Sequence, residues 1–344
     1  MRRCRLGWPR SGGRPSATDV AQLSIIEAIR TALAEEMERD PTVICLGLDV
    51  GRLGGVFRTT DGLQQRFGKD RVVDTPLAEA SIVGASLGLA VSGLKPVAEI
   101  QFLGFTHQAF HQIGPQLGRW RFRSHGRYHA QVTIRAPFGG GIKSPEFHSD
   151  AIEAQFAQCP GVKIAMPSNP HDAKGLLLEA IRDPDPVLFC EPDRLYRAGR
   201  SEVPEGDYTV PFGKARLART GDDVTLVAWS AAVELCERAA DQLAGDGISA
   251  SVLDLRTLVP LDVEGLVEAV EKTGRCVVVH EAPLTAGFGA EVIATLQEEA
   301  FYSLDAPIKR VAAYDTPYPP GSLEGWYLPS VERVIEATRS TVAA

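Results

Sequence analysis

The chain lacks most of the devices that announce a chemistry. Its six cysteines (Cys4, Cys45, Cys159, Cys190, Cys236 and Cys276) form no C-x-x-C pair, and several sit in apolar runs such as Val43-Ile44-Cys45 and Leu188-Phe189-Cys190. A disulfide framework and a zinc site are therefore not expected, and buried free thiols fit a reducing compartment. The seven histidines offer no H-E-x-x-H, which removes that zinc pattern. No segment has the roughly 18 consecutive apolar residues of a membrane span. Residues 80–91 come nearest, and they are short and carry Ser and Gly. Basic residues are in the minority: 36 Lys and Arg against 44 Asp and Glu give a net charge of −8. A general nucleic-acid binder wants the opposite field. The one basic cluster, Arg119, Arg121, Arg123 and Arg127 with Trp120, Phe122 and Tyr128 between them, reads as a subunit interface, where Arg and aromatic residues are enriched.

What is present is an ordinary globular composition over 344 residues, 44% hydrophobic and 23% charged. At about 150 residues per domain, two domains are expected. Residues 1–17 carry five arginines and no acid before Asp19. They read as a disordered extension, with a mitochondrial presequence as the alternative. The chain is accordingly placed in the cytoplasm, or in the mitochondrial matrix if that segment is a presequence.

Asp19 and Gln22 have the spacing of a helix cap, and Leu23, Ile26, Ile29, Leu33 and Met37 continue at helical spacing until Pro41. Strands are expected over 43–46, 71–73, 96–100, 131–135, 162–165 and 187–190. Helices are expected over 61–67, 76–91, 103–117 and 170–182. This alternation predicts an α/β fold, a parallel sheet with helices on both faces. The pattern lapses around 193–212, where Pro204, Glu205, Gly206 and Asp207 mark a linker. It resumes with strands at 223–228, 249–253, 275–279 and 308–312, and helices at 231–244, 262–272 and 288–300. The expected division is an extension 1–17, a first domain 18–200, a linker 201–212 and a second domain 213–344.

Two phosphate-binding patterns fail on inspection. Gly287-Phe288-Gly289 would need glycine at 292, which is Val. Gly245-Asp246-Gly247 matches the first half of the G-D-G…N magnesium motif of thiamine-diphosphate enzymes. That motif ends in an asparagine some thirty residues on, and the only asparagine here, Asn169, comes earlier. The glycines then serve a helix-to-strand turn. Three other stretches carry usable chemistry. Glu79 stands in the first turn of an otherwise apolar helix, either as a dipole partner or as a carboxyl tuned by burial. Gln101 and Phe105 follow a strand ending at Ile100, and strand ends are where open α/β sheets hold ligands; Phe105 is either core or a stacking platform. His148 lies just after the loop Pro137-Phe138-Gly139-Gly140-Gly141, read as flexible, where a histidine is well placed for proton transfer.

Taken in order, these stretches resemble one family. Gly54-Gly55-Val56-Phe57-Arg58, the run from Asp74 to Glu79, Glu99-Ile100-Gln101-Phe102, Arg135-Ala136-Pro137 and residues 181–186 are similar to the β subunit of the thiamine-diphosphate-dependent 2-oxo acid dehydrogenases. So are Asp254-Leu255-Arg256-Thr257-Leu258, His280-Glu281-Ala282-Pro283 and Asp315-Thr316-Pro317-Tyr318-Pro319. The resemblance runs from about residue 20 to the C-terminus. It implies a pyrimidine-binding thiamine-enzyme domain followed by a transketolase C-terminal-like domain. It also implies an α2β2 heterotetramer whose α subunit holds magnesium and the diphosphate, while this chain holds the aminopyrimidine side of thiamine diphosphate. On that resemblance Glu79 hydrogen-bonds the aminopyrimidine ring nitrogen, and Gln101 and Phe105 line its pocket, with Phe105 stacked on the ring. His148 faces the reacting centre and assists proton or acyl transfer to the lipoyl group of an acyltransferase partner. The carbonyl of Ile181, with Asp183 and Asp185, matches a potassium-binding turn.

Two departures bear on function. The family usually reads Gly-Glu-Asp-Val where this chain has Gly47-Leu48-Asp49-Val50. That glutamate is linked to communication between active sites, so Leu48 marks a divergent or specialised member. Asp150 stands where many members carry Gln, and the resemblance links Asp there to branched-chain members. The expected activity is thus oxidative decarboxylation of a branched-chain 2-oxo acid. The alternatives are a pyruvate or acetoin dehydrogenase subunit, and a catalytically degenerate, non-enzymatic subunit.

Overall fold

A computed structural model of the chain describes residues 20–344, so the cap read at Asp19 and the extension 1–17 lie outside the described residues. The strands are β1 (Val20–Leu23), β2 (Val43–Gly47), β3 (Val72–Asp74), β4 (Lys95–Glu99), β5 (Thr133–Phe138), β6 (Lys163–Ala165) and β7 (Val187–Pro192). They continue with β8 (Ser201–Pro204), β9 (Arg216–Arg219), β10 (Val224–Ala228), β11 (Ala250–Asp254), β12 (Thr257–Val259), β13 (Cys276–Pro283) and β14 (Lys309–Ala313).

The first sheet runs in the order β12-β6-β7-β5-β4-β2-β3. Neighbours from β6 to β3 pair in parallel. Strands β2, β5 and β7 are buried along their whole length. Strands buried along both faces suit a parallel sheet covered by helices on each side, with the polar exceptions Arg135 and Glu191 paired to each other. Helices Ile25–Arg39 and Pro170–Arg182 cover one face, packing Ile29, Leu33 and Leu177 on Val43, Cys45 and Phe189. Helix Glu79–Val91 and residues 103–118 cover the other, with Ile82, Leu103, Ile113 and Ile134 in one cluster. That cluster continues without a break into Trp229, Leu253, Leu255 and Leu258 of the second half. The second sheet, β14-β13-β10-β11-β9, is parallel except for β9. The two sheets therefore share a core.

The sequence reading and the structure differ at several ends, each for a physical reason. The first helix begins at Ile25, because Ser24 and Glu27 form a reciprocal capping box there. The preceding four residues form an edge strand instead, β1, antiparallel to β8, which lies inside the expected linker. The helix expected from Pro76 starts at Glu79. Residues 103–118 form a 3-10 turn and then a π-type segment, not one α-helix; Pro115 sits inside that segment and has no N–H to donate. Strands β9 and β12 and helix Val331–Val342 were not anticipated. The Gly245-Asp246-Gly247 stretch is a turn between a helix and β11, with Gly247 at φ 80°. Gly287 and Gly289 press against the His280 ring; a Cβ on either would lie within 2.7 Å of it.

Candidate active site

Strands β2, β4, β5 and β7 all end on one edge of the first sheet, the edge where such folds hold ligands. Glu79 opens its helix at this edge behind Ala78, which offers no side-chain cap. The carboxylate is half-buried and makes no side-chain hydrogen bond or ion pair among the described residues. Gln101, just after β4, is likewise half-buried and without a side-chain partner there.

Phe105 and His148 are brought together. Their ring centroids are 4.9 Å apart, edge to face. Phe102 lies 5.5 Å from Phe105 and 4.7 Å from His148, and Phe147 lies 5.3 Å from Phe105. Gly104 makes this possible: a Cβ there would stand 2.0 Å from the Phe147 carbonyl oxygen. Phe105 is only half-buried, so part of its ring is free to stack. His148 Nδ1 is buried with no hydrogen-bond partner among the described residues. A free carboxylate, an open aromatic ring and an orphaned imidazole nitrogen along one edge fit a flat, hydrogen-bonding heteroaromatic ring such as an aminopyrimidine.

The loop that carries His148 is seated rather than loose. The Gly140 N–H donates to Glu281 Oε2 at 3.2 Å, and Arg194 pairs with the same carboxylate at 3.2 Å. The Lys143 N–H donates to Glu324 Oε1 at 3.1 Å, and the Tyr318 hydroxyl donates to that oxygen at 2.6 Å. A Cβ on Gly139 would fall 2.5 Å from Glu281 Oε2, and one on Gly140 2.4 Å from the Tyr318 oxygen. The glycines read as flexible are thus close-packing residues. Glu281, Glu324 and Tyr318 belong to the second half of the chain, and sequence reasoning assigned them no role. Their signal was there in the stretches around His280 and Tyr318, which were noticed only as family motifs.

Two buried charge clusters lie behind the edge. In one, Arg135 donates through Nε and Nη2 to Glu191 at 2.6 and 2.9 Å and through Nη1 to Glu99 at 2.7 Å. Thr59 donates to Glu99, and the Tyr196 hydroxyl to Glu191. In the other, Asp193 and Glu153 are buried with no ion-pair partner among the described residues. Burial, with the Glu281 charge nearby, pushes Asp193 up to about 9 and Glu153 up to about 7. His280 is fully buried and stacked on Trp229 at 5.2 Å, and burial lowers it to about 4. It is therefore a neutral packing residue.

The remaining candidates lie as follows. Ile181, Asp183 and Asp185 span the last turn of helix Pro170–Arg182 and the turn leading into β7, on the opposite edge of the sheet. Each already has a protein partner: Gln131 donates to the Ile181 carbonyl, Lys163 pairs with Asp183 and Arg121 with Asp185. Among the described residues no cluster of His, Cys, Asp and Glu has metal-holding geometry. Leu48 is half-buried directly after β2, on the site edge. Asp150 is half-buried, and burial raises its carboxyl above the ordinary value.

Comparison with known proteins matches this architecture. Residues 21–199 match the family "Transketolase, pyrimidine binding domain". Residues 213–334 match "Transketolase, C-terminal domain". The chain is 51% identical over 323 residues to "Pyruvate dehydrogenase E1 component subunit beta" of Staphylococcus epidermidis, covering 94% of this chain and 99% of that protein. It is 50% identical over the same length to the protein of that name from Bacillus subtilis. Among solved structures it resembles a "Split gene transketolase, inactive beta4 tetramer", with a TM-score of 0.76 and 26% identity over 94% of this chain and 99% of that one. A transketolase variant from Pichia stipitis shares the fold alone, with a TM-score of 0.66 and 15% identity over 95% of this chain and 47% of that one.

Proposed function

Because the chain belongs to the family of β subunits of the thiamine-diphosphate-dependent 2-oxo acid dehydrogenases, we propose that it is the β subunit of a pyruvate dehydrogenase decarboxylating component, active with an α subunit in the cytoplasm. The observation that carries this reading is 51% identity over nearly the full length of a pyruvate dehydrogenase β subunit. The branched-chain preference drawn from Asp150 gives way to it, since one half-buried carboxyl weighs less than likeness along the whole chain.

Thiamine diphosphate, when bound, supplies a carbon nucleophile and an electron sink for decarboxylation. This chain would hold only the aminopyrimidine side. Glu79 would hold a proton at the ring nitrogen, a role its unpartnered carboxylate suits. Phe105 would stack on the ring and Gln101 would line its edge. His148 would hold or move a proton beside the reacting centre, with Nδ1 free to do so, and face an incoming lipoyl group. Magnesium and the diphosphate would fall to the α subunit in an α2β2 assembly, because no asparagine follows the Gly245-Asp246-Gly247 turn.

The test is co-expression with an α-type subunit and an assay of decarboxylation, with thiamine diphosphate and magnesium, on pyruvate, 2-oxobutanoate and 2-oxoisovalerate. Activity is expected only from the two chains together and highest with pyruvate. Preference for 2-oxoisovalerate would restore the branched-chain reading. An assembled but inactive complex would point to a degenerate subunit, with Leu48→Glu as the first reversion to make.

A further inference from the structure

A cavity of about 590 Å³ opens between the start of helix Ile25–Arg39, the loop after β2 and the loop after β7. Its lining includes Arg30, Arg58, Arg197 and Arg200 with a single acid, Glu27. None of Glu79, Gln101, Phe105 and His148 lines it. Arg200 is spent: it pairs with Glu27 and donates to the Gln22 carbonyl. The other three have no acidic partner among the described residues. Arg58 donates to the Leu53 carbonyl and Arg197 to the Phe57 carbonyl. Arg30 Nε is buried with no partner among the described residues. In a chain of net charge −8, three unneutralised guanidinium groups converging from three segments form a strong local positive field. The backbone contributes to this placement: Arg58 sits at φ 68°, a conformation uncommon for a long side chain, and its N–H is held by the Gly55 carbonyl at 3.2 Å.

We propose that this cavity is a binding site for a small phosphate-bearing molecule, separate from the Glu79–His148 site. The planar guanidinium fork matches phosphate geometry, and several forks can share its oxygens. The volume lies within the ~300–1,000 Å³ usual for small-molecule sites. The lining holds Ile26 but no aromatic ring, so recognition rests on charge, and the body of the ligand has little to stack on.

The test uses the full chain in its α/β assembly, saturated with thiamine diphosphate and magnesium so that the cofactor's own diphosphate site is filled. Calorimetric titration with inorganic phosphate and with ribose 5-phosphate is expected to give submillimolar dissociation constants that weaken steeply with salt. Arg197→Gln and Arg30→Gln should each weaken binding by about tenfold, the loss of one charge-assisted contact. Arg310→Gln, in β14, should leave it unchanged. Melting temperatures without phosphate identify any variant that fails to fold, and two independent variants keep the comparison usable. Dissociation constants above about 10 mM, or variants that bind as the parent does, would overturn the assignment. So would binding by the isolated chain that vanishes in the assembly, because the cavity would then be a subunit contact.

Discussion

The two buried charge clusters behind the site edge differ in completeness. Around Arg135 every charged group has its counterpart: two carboxylates, a bidentate guanidinium, a threonine and a tyrosine hydroxyl close on one another. Asp193 and Glu153 have no ion-pair partner among the described residues, and burial keeps their protons well above the ordinary range. A buried charge that is paired resists removal of either partner, whereas a buried group that is unpaired costs free energy as soon as it ionises. Completeness therefore separates what holds the fold from what strains it. Glu79 and His148 Nδ1 are a third case, unpaired at an edge where a ligand can complete them.

The comparison can be broken by three variants. Glu79→Gln should lower the activity of the assembled enzyme by roughly 10²–10⁴-fold, while melting temperature and assembly stay as in the parent, because Glu79 bonds nothing in the fold. Steady-state kinetics beside a thermal melt check this, and a matching loss of stability would place Glu79 with the structural groups. Arg135→Met should destabilise by about 3–5 kcal/mol, since it strands Glu99 and Glu191 in the interior; the midpoint of urea unfolding measures it. A change under about 1 kcal/mol would mean that the network does not hold the fold. Asp193→Asn should act only through pH. The folded chain keeps the Asp193 proton up to about 9, and the Glu153 proton up to about 7, while the unfolded chain releases both near pH 4. Their contribution is thus full below about pH 4 and is lost as pH rises through 7 and then 9. At pH 9 the variant should melt on the order of 5 °C above the parent, and at pH 5 with it. Parallel melting curves across that range would show that Asp193 is not a buried acid.

Much of the fold was legible in the sequence. The strands that became β2, β4, β5 and β7 are short, mostly apolar segments between turn signals, and helix Pro170–Arg182 matches the expected span because Asn169 and Pro170 mark its start. Strands β1, β8, β9 and β12 were illegible for a common reason. They are short edge strands of three or four residues, and their pairing depends on distant chain, not on local pattern. Glu79, Gln101, Phe105 and His148 stand out in the sequence one by one, Glu79 by opening an apolar helix and Gln101 by following a strand, and the structure brings the Phe105 and His148 rings together. The seating of the His148 loop was not, because Glu281 and Glu324 reach it from 141 and 181 residues away in sequence. No periodicity carries that distance.

The strand β12 has a consequence for how the chain is made. It comes from the second half of the sequence yet closes the first sheet, antiparallel to β6 with Thr257 opposite Ala165. A nascent chain that has left the ribosome only as far as the linker has every other strand of that sheet and a bare β6 edge. Its N–H and C=O groups are then open to any other chain with an edge to offer. Fragments truncated between 212 and 256 should therefore precipitate where the full chain does not. The first sheet is therefore completed only when residue 259 of the second half has been synthesised.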